Sequence, residues 1–406
     1  LWDNSLIGNS VAFYSLGDEM DYSLLTELVP PPGAEINFKR LLEVIPQLAP
    51  LATTPQDPVF HAEGDVWTHT KMVCVALVNS QPYADASIKD RFVLFYAGLL
   101  HDISKPDTTV IDEVSGKISQ PGHSRRGAID ARILLWRAGV PFDMRETICR
   151  IISVHQVPFF ALSGDRRGTP PEFTIAKLSW ELPIWMLCAV ATADIVGRTY
   201  HGKQAVLDEI EVFRLLAEEL GALNGPVQFA DPYTRQRYFA GANVLPEYAL
   251  FREKVGSKVI VMSGMPASGK NTWVEKNAPG LPVISFDDAR DELGLAHGKN
   301  EGMVAHHAFD MAKELLRAGK PFVWNSTHLS NQMRTKTLDL LHGYHAEVRI
   351  VYLEHPEEVI YARNTKRDTS LRNKDITKML FRWEVPVPSE AATVEYIVEA
   401  ANQRKR

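Results

Sequence analysis

Cysteine is scarce: Cys74, Cys149 and Cys188 are the only three in 406 residues. They lie far apart, and none has the C-x-x-C spacing of a metal or redox pair. A disulfide scaffold is excluded, a reducing compartment is implied, and each cysteine is expected to be a small buried apolar residue. Long hydrophobic runs are missing too. RFVLFYAGLL is interrupted by charge at both ends and falls short of the roughly 20 apolar residues a membrane helix needs. The opening LWDNSLIGNS lacks a basic stretch followed by an apolar one, so no signal peptide is expected, and the lack of an initiator methionine leaves room for residues upstream. There is no repeat, low-complexity tract or polybasic tail beyond the closing RKR. A cytoplasmic protein without a membrane partner is the expectation. Positive charge is not in surplus: Lys and Arg number 44 against 50 Asp and Glu, a formal net charge of -6. That argues against wholesale polyanion binding and leaves a local basic groove as the remaining form of it.

What is present is globular in composition, with 45% hydrophobic and 23% charged residues. The length exceeds what one core usually supports, so two or three domains are expected. Residues 1–56 read as a loosely structured lead ending in a short helix, FKRLLEVIPQLAPLA. From 57 to 221 the apolar residues recur at i, i+3, i+4 spacing, in VWTHTKMVCVALVN, SRRGAIDARILLWRAG, MRETICRIISVHQ and others, which predicts an all-α domain. Residues 222–256 are turn-rich and aromatic and read as a connector. From 257 to 406 the strand-like KVIVMSG, LPVISFD, PFVWNST and AEVRIVYLE alternate with helical stretches, which predicts a parallel sheet with crossover helices. The fold class is therefore α plus α/β.

The last of these regions opens on VIVMSGMPASGKNT. An apolar strand runs into a glycine-rich turn, and a helix begins near Asn271. Gly264, Ala267, Ser268, Gly269 and Lys270 fit G-x-x-x-x-G-K, the loop whose backbone N–H groups surround phosphate while the lysine reaches the β- and γ-phosphates. ATP with Mg2+ is the implied ligand. The pattern departs at its last position, where Asn271 replaces the hydroxyl that would serve Mg2+ and Thr272 follows one place later; an amide carbonyl can serve directly or through a water. Beyond the next strand stands Ser285-Phe286-Asp287-Asp288-Ala289-Arg290, where ligands bind in open α/β sheets. Asp287 could accept a proton from an attacking hydroxyl and Arg290 could hold a substrate phosphate; acidic capping of a helix is the plain alternative. Further on, Arg363, Lys366, Arg367, Arg372, Lys374, Lys378 and Arg382 outnumber Asp368 and Asp375. Arg363 and Arg367, four apart on one helix face, suit a lid that neutralises a transferring phosphoryl group; a solvated basic helix is the alternative.

In the helical region His69, His101, Asp102, His123, His155 and Asp194 fall on or beside predicted helices. Singly each is an ordinary core or surface residue, but together imidazoles and carboxylates from several helices can converge on metal. Lys105 follows Asp102 by a turn and is either a phosphate contact or a solvated lysine. Arg125 and Arg126 are phosphate contacts or an exposed face, His61 a substrate contact or a cap, and Trp67 a core residue.

The segments HAEGDVWTHT, LLHDISKPDT, GHSRRGA, SVHQ and ATADIVG resemble the HD phosphohydrolase superfamily over roughly Asp57 to Gly197, especially the branch near nucleotidyltransferase-associated HD domains. The resemblance implies one metal on His69, His101, Asp102 and Asp194 and a second on Asp102, His123 and His155, the pair being Mn, Fe, Co, Ni or Zn. The Asp-Asp-x-Arg arrangement after the phosphate loop resembles phage-type polynucleotide 5′-kinases, which implies Asp287 as general base and Arg290 on the acceptor strand. PFVWNSTHLS resembles that family's strand ending near the phosphates, with Asn325 where many relatives carry Asp; Ser326 and Thr327 remain as donors, and no role is assigned to His328. Both halves together resemble the bacterial HD-domain polynucleotide kinases of RNA end healing. The implied partners are RNA or DNA ends bearing 5′-hydroxyl or 2′,3′-phosphate, and a separate ligase. A small-molecule kinase fused to a nucleotide phosphohydrolase, and a nucleotide-binding sensor, are the competing readings.

Overall fold

The computed structural model describes residues 20–160, 168–251, 256–296, 300–367 and 371–399. The chain forms two compact units that divide after Val227. Asp368 lies outside the described residues.

The first unit is helical around one apolar core. Its principal helices are Val66–Val78, Ile88–Leu100, His123–Arg137, Phe142–Val154, Ile184–Val196 and Lys203–Glu219. Helix starts are set by side chains that accept orphan backbone N–H groups: Asp65 takes Thr68 N and Ser87 takes Asp90 N. Ile184–Val196 is buried along most of its length, and Trp67 packs in the core with its ring edge-on to Phe38 at 5.7 Å. All three cysteines are free and buried. Two features differ from expectation. Residues 20–56 are built into this core, because short elements at Tyr22–Glu27, Phe38–Val44 and Pro46–Thr53 bury Leu25, Leu41, Leu48 and Leu51. Elements of six to eight residues carry too few turns to show periodicity. The unit also holds an antiparallel hairpin, β1 (Val110–Ile111) and β2 (Ile118–Ser119), between the segments bearing Lys105 and His123.

The second unit is a five-stranded, all-parallel sheet of order β4-β5-β3-β6-β7, with β3 at Lys258–Gly264, β4 at Val283–Ile284, β5 at Phe322–Trp324, β6 at Glu347–Glu354 and β7 at Thr393–Val398. Central β3 is buried beyond its first residue except for half-buried Ile260, as suits a strand covered on both faces. The expected connector belongs to this unit from Gln228 onward. Asp231 caps a helix at Pro232–Phe239, and buried Gln236 on that helix donates to Ala346 O and accepts from Val348 N and Ala392 N. Among the described residues no single helix is long and apolar enough to cross a membrane.

Candidate functional sites: a histidine and aspartate pocket and a phosphate loop

In the helical unit the tertiary fold gathers the six dispersed residues. His69 comes from Val66–Val78, His101 and Asp102 from the end of Ile88–Leu100, His123 from the start of His123–Arg137, His155 from the end of Phe142–Val154, and Asp194 from Ile184–Val196. All six are buried. His69, His101 and Asp194 present ligand atoms within 4.8 Å of one another, and Asp102, His123 and His155 do the same. Asp102 stands between the sets: Oδ2 is 3.1 Å from His101 Nε2 and 3.8 Å from His69 Nε2, and Oδ1 is 3.5 Å from His123 Nε2.

The imidazoles share one orientation. Nδ1–H of His101, His123 and His155 donates to the carbonyls of Gly98, Gln120 and Ile152, each three residues back, at 2.7 to 2.8 Å. A carbonyl can only accept, so Nδ1 carries a proton and Nε2 is the atom turned toward the pocket. At His69 a carboxylate stands on that side instead, with Glu63 Oε1 at 3.0 Å from Nδ1, outside hydrogen-bond geometry. Glu63 also accepts from His61 Nδ1–H at 2.8 Å and Thr199 N–H at 2.8 Å. Although burial raises its pKa, these donors hold the Glu63 carboxylate ionised, well below its usual range. Burial drives His155 down to about 3 and His61 to about 4, and lowers His123, so all three are neutral at pH 7. The inward Nε2 atoms of His69, His101 and His155 make no hydrogen bond among the described residues. Buried imidazole nitrogens without a hydrogen bond, beside two carboxylates, suit a divalent transition metal.

The cations around the pocket are not equivalent. Lys105 is buried, its Nζ 2.7 Å from Asp102 Oδ2 and 2.7 Å from Gln56 Oε1, so it is no solvated lysine. Arg126 is committed to Asp130 at 2.9 Å, and Arg125 is exposed. Sequence reading missed Arg198, which donates to both oxygens of Asp194 at 2.9 and 2.8 Å. Its signal was the i, i+4 spacing from Asp194; that of Glu63 was its place two residues after His61. His61 is buried against Glu63, its ring 4.8 Å from that of His69.

In the second unit the phosphate loop leaves the carboxyl end of β3. Gly264 has φ +141°, Ala267 φ 61° and Gly269 φ +89°, so three residues in six occupy the left-handed half of backbone space, which turns N–H groups inward. The helix Lys270–Asn277 follows at once. Lys270 Nζ donates to Gly264 O at 2.9 Å and Met265 O at 2.7 Å. Burial, with Arg367 nearby, brings its pKa down to about 7 against the opposing pull of Asp287. Buried His328 donates from Nδ1 to Met262 O at 2.8 Å and accepts at Nε2 from Thr337 at 3.1 Å, while Gly264 N donates to Thr327 O at 2.9 Å. His328 thus ties the turn after β5 to the end of β3, and burial keeps it neutral with a pKa of about 4.

Asp287 and Arg290 lie on the helix Phe286–Glu292, whose start Ser285 caps by accepting from Asp288 N. Asp287 is 80% exposed in its side chain. Arg290 is buried and pairs with Asp287 and Glu301, both at 2.9 Å, so its guanidinium is engaged by carboxylates where a phosphate contact was expected. In the expected lid, Arg363 lies on the helix Glu357–Lys366 and Arg367 is its C-cap, with extended ψ of 143°; Arg367 lies near enough to Lys270 to lower its pKa. Arg363 Nη1 donates to His355 Nε2 at 2.8 Å and lies 3.8 Å from where a Cβ on Gly269 would stand. Asn271 and Asn325 are hydrogen-bonded to each other, Nδ2 of Asn325 to Oδ1 of Asn271, at 2.9 Å.

Comparison with known proteins agrees with this geometry for the second unit. Residues 259–386 match the family model described as an AAA domain. Two curated relatives are each described as a multifunctional CCA protein. That of Halorhodospira halophila (strain DSM 244 / SL1) is 30% identical over 132 residues, 32% of this chain and 29% of that protein. That of Pasteurella multocida (strain Pm70) is 29% identical over 188 residues, 41% of this chain and 40% of that protein. The chain thus spans less than half the length of these relatives. Among solved structures, a sugar kinase from Janibacter sp. HTCC2649 is similar at 20% identity and a TM-score of 0.28, over 35% of this chain and 84% of that one. The glycine-rich loop between a parallel strand and a helix is a P-loop arrangement, which implies ATP and Mg2+ binding.

Proposed function

We propose that this chain is a two-site enzyme that heals nucleic-acid ends. The P-loop unit transfers the γ-phosphoryl group of ATP to a 5′-hydroxyl, and the helical unit hydrolyses a 2′,3′-cyclic phosphate or terminal phosphomonoester. The observation that carries the reading is the buried pocket of four histidines and two aspartates, with Asp102 between two ligand sets, in a chain that also holds a phosphate loop. When bound, a divalent pair supplies Lewis acidity and lowers the pKa of water. The chain's own part is to present Nε2 of His69, His101, His123 and His155, to let Asp102 serve both ligand sets, and to offset carboxylate charge with Lys105 and Arg198. On the kinase side Lys270 must release Gly264 and Met265 to meet the phosphates, and Asp287 must release Arg290 to act as base. Arg363 is already held over the loop.

The preference for a strand over a small molecule rests on the basic surplus from Arg363 to Arg382 and on the family resemblance. The test is to incubate the full chain with labelled ATP and oligonucleotides bearing 5′-hydroxyl, and separately with 2′,3′-cyclic phosphate ends. Label appearing on the strand, with loss of the cyclic phosphate, is the expected result. Absence of transfer to RNA and DNA alike would rule out a polynucleotide kinase.

A further inference from the structure

The two places where the phosphate loop departs from its common pattern are joined. Asn271, in the first turn after the loop, replaces a hydroxyl, and Asn325, just beyond β5, stands at the carboxyl end of the strand next to β3. Their side chains meet at 2.9 Å. In P-loop enzymes a Ser or Thr hydroxyl and an Asp carboxylate at the end of a neighbouring strand hold Mg2+. Two amides fill this place.

We infer, on the reading of this loop as a nucleotide site, that the Asn271–Asn325 pair makes nucleotide capture insensitive to Mg2+: donors of the chain hold the polyphosphate, and the ion adds no affinity through the protein. Three observations support this. Neither side chain is anionic, whereas a protein site for Mg2+ usually supplies one or two carboxylates beside the phosphates. The mutual hydrogen bond takes one of the two lone pairs of Asn271 Oδ1, and Nδ2 of that exposed residue makes no hydrogen bond among the described residues. An amide N–H suits a phosphate oxygen and repels a cation. The surrounding charge is also positive, because Lys270 lies at the loop, Arg363 overhangs Gly269, and the nearby carboxylate of Asp287 is bonded to Arg290 at 2.9 Å. A polyanion finds donors here, and a dication finds cations.

The test is calorimetric titration of the full chain with ADP, once in excess Mg2+ and once in EDTA. The wild-type chain is expected to bind equally well in both, within about twofold. In Asn271→Ser/Asn325→Asp, which restores the hydroxyl and the carboxylate, Mg2+ is expected to tighten ADP by roughly tenfold or more, the size of effect that groups supporting a metal have on its affinity. A Mg2+ gain of that size in the wild-type chain overturns the inference, whatever the variant does. An indifferent wild type with an equally indifferent, folded variant overturns the assignment to this pair. Absence of ADP binding in both buffers overturns the nucleotide-site reading and the inference with it, and is distinct from either result above.

Discussion

At the scale of single residues, Glu63 and Lys270 make the sharpest claims. On the proposed reading, Glu63 places a negative charge 3.0 Å from His69 Nδ1, on the side where backbone carbonyls hold His101, His123 and His155, so Glu63→Gln should weaken metal retention by roughly 10- to 100-fold while leaving the helical fold intact. Metal content after dialysis against graded chelator, beside far-ultraviolet circular dichroism, checks this; full retention would deny Glu63 the role. Desolvation in the loop brings the Lys270 pKa down to about 7 when no phosphate is present. A bound polyphosphate raises that pKa, so binding takes up a proton above pH 7, and affinity should fall with rising pH by up to about tenfold per unit. Calorimetry with ADP in two buffers of different ionisation heat measures the uptake, and a pH-independent affinity would contradict it. Candidate ligands such as His69 and Asp194 were legible in the sequence because few side chains bind metal. Glu63 and Arg198 were not, because carboxylates and arginines are common and only proximity distinguishes them.

At the scale of elements, the end of β3 tolerates little change. A Cβ on Gly264 would stand 2.4 Å from Leu353 O on β6 and 2.9 Å from Ser268 Oγ, in a backbone conformation L residues rarely adopt. Gly264→Ala should cost at least about tenfold in ADP affinity through strain of this kind, while metal retention by the other unit stays unchanged. In the helical unit, Glu146 on Phe142–Val154 pairs with Arg132 on the preceding helix at 2.9 Å and with Arg145 at 2.8 Å. Glu146→Ala removes the carboxylate that these two buried guanidiniums share and should destabilise the unit by about 3 kcal/mol, read as a lower urea midpoint in the helical signal. β3 was legible as Lys258–Gly264 because a buried β-branched run before glycines has few other readings. β7 escaped notice, because its half-exposed residues show no clean alternation. Arg367 was expected within the helix of Arg363 and instead caps it, because spacing alone does not reveal where a helix ends.

At the scale of the whole molecule, each unit has its own apolar core and its own candidate site. On the proposed reading, Lys270→Ala should abolish phosphorylation of 5′ ends and spare phosphoesterase activity, and Asp102→Asn should do the reverse. Loss of both activities from either change, measured on the same end-labelled strands, would argue for one composite site. The sequence alone determined the order of a helical region and an alternating α/β region, since periodicity is a local property of the chain. It also determined the phosphate loop, because Gly264 to Lys270 are contiguous and their backbone makes the site. Only the tertiary structure decided that residues as far apart as His69 and Asp194 share one pocket, that Glu63 stands beside His69, and that Asn271 meets Asn325. These contacts cross from element to element, and distance in space is set by packing rather than by spacing along the chain.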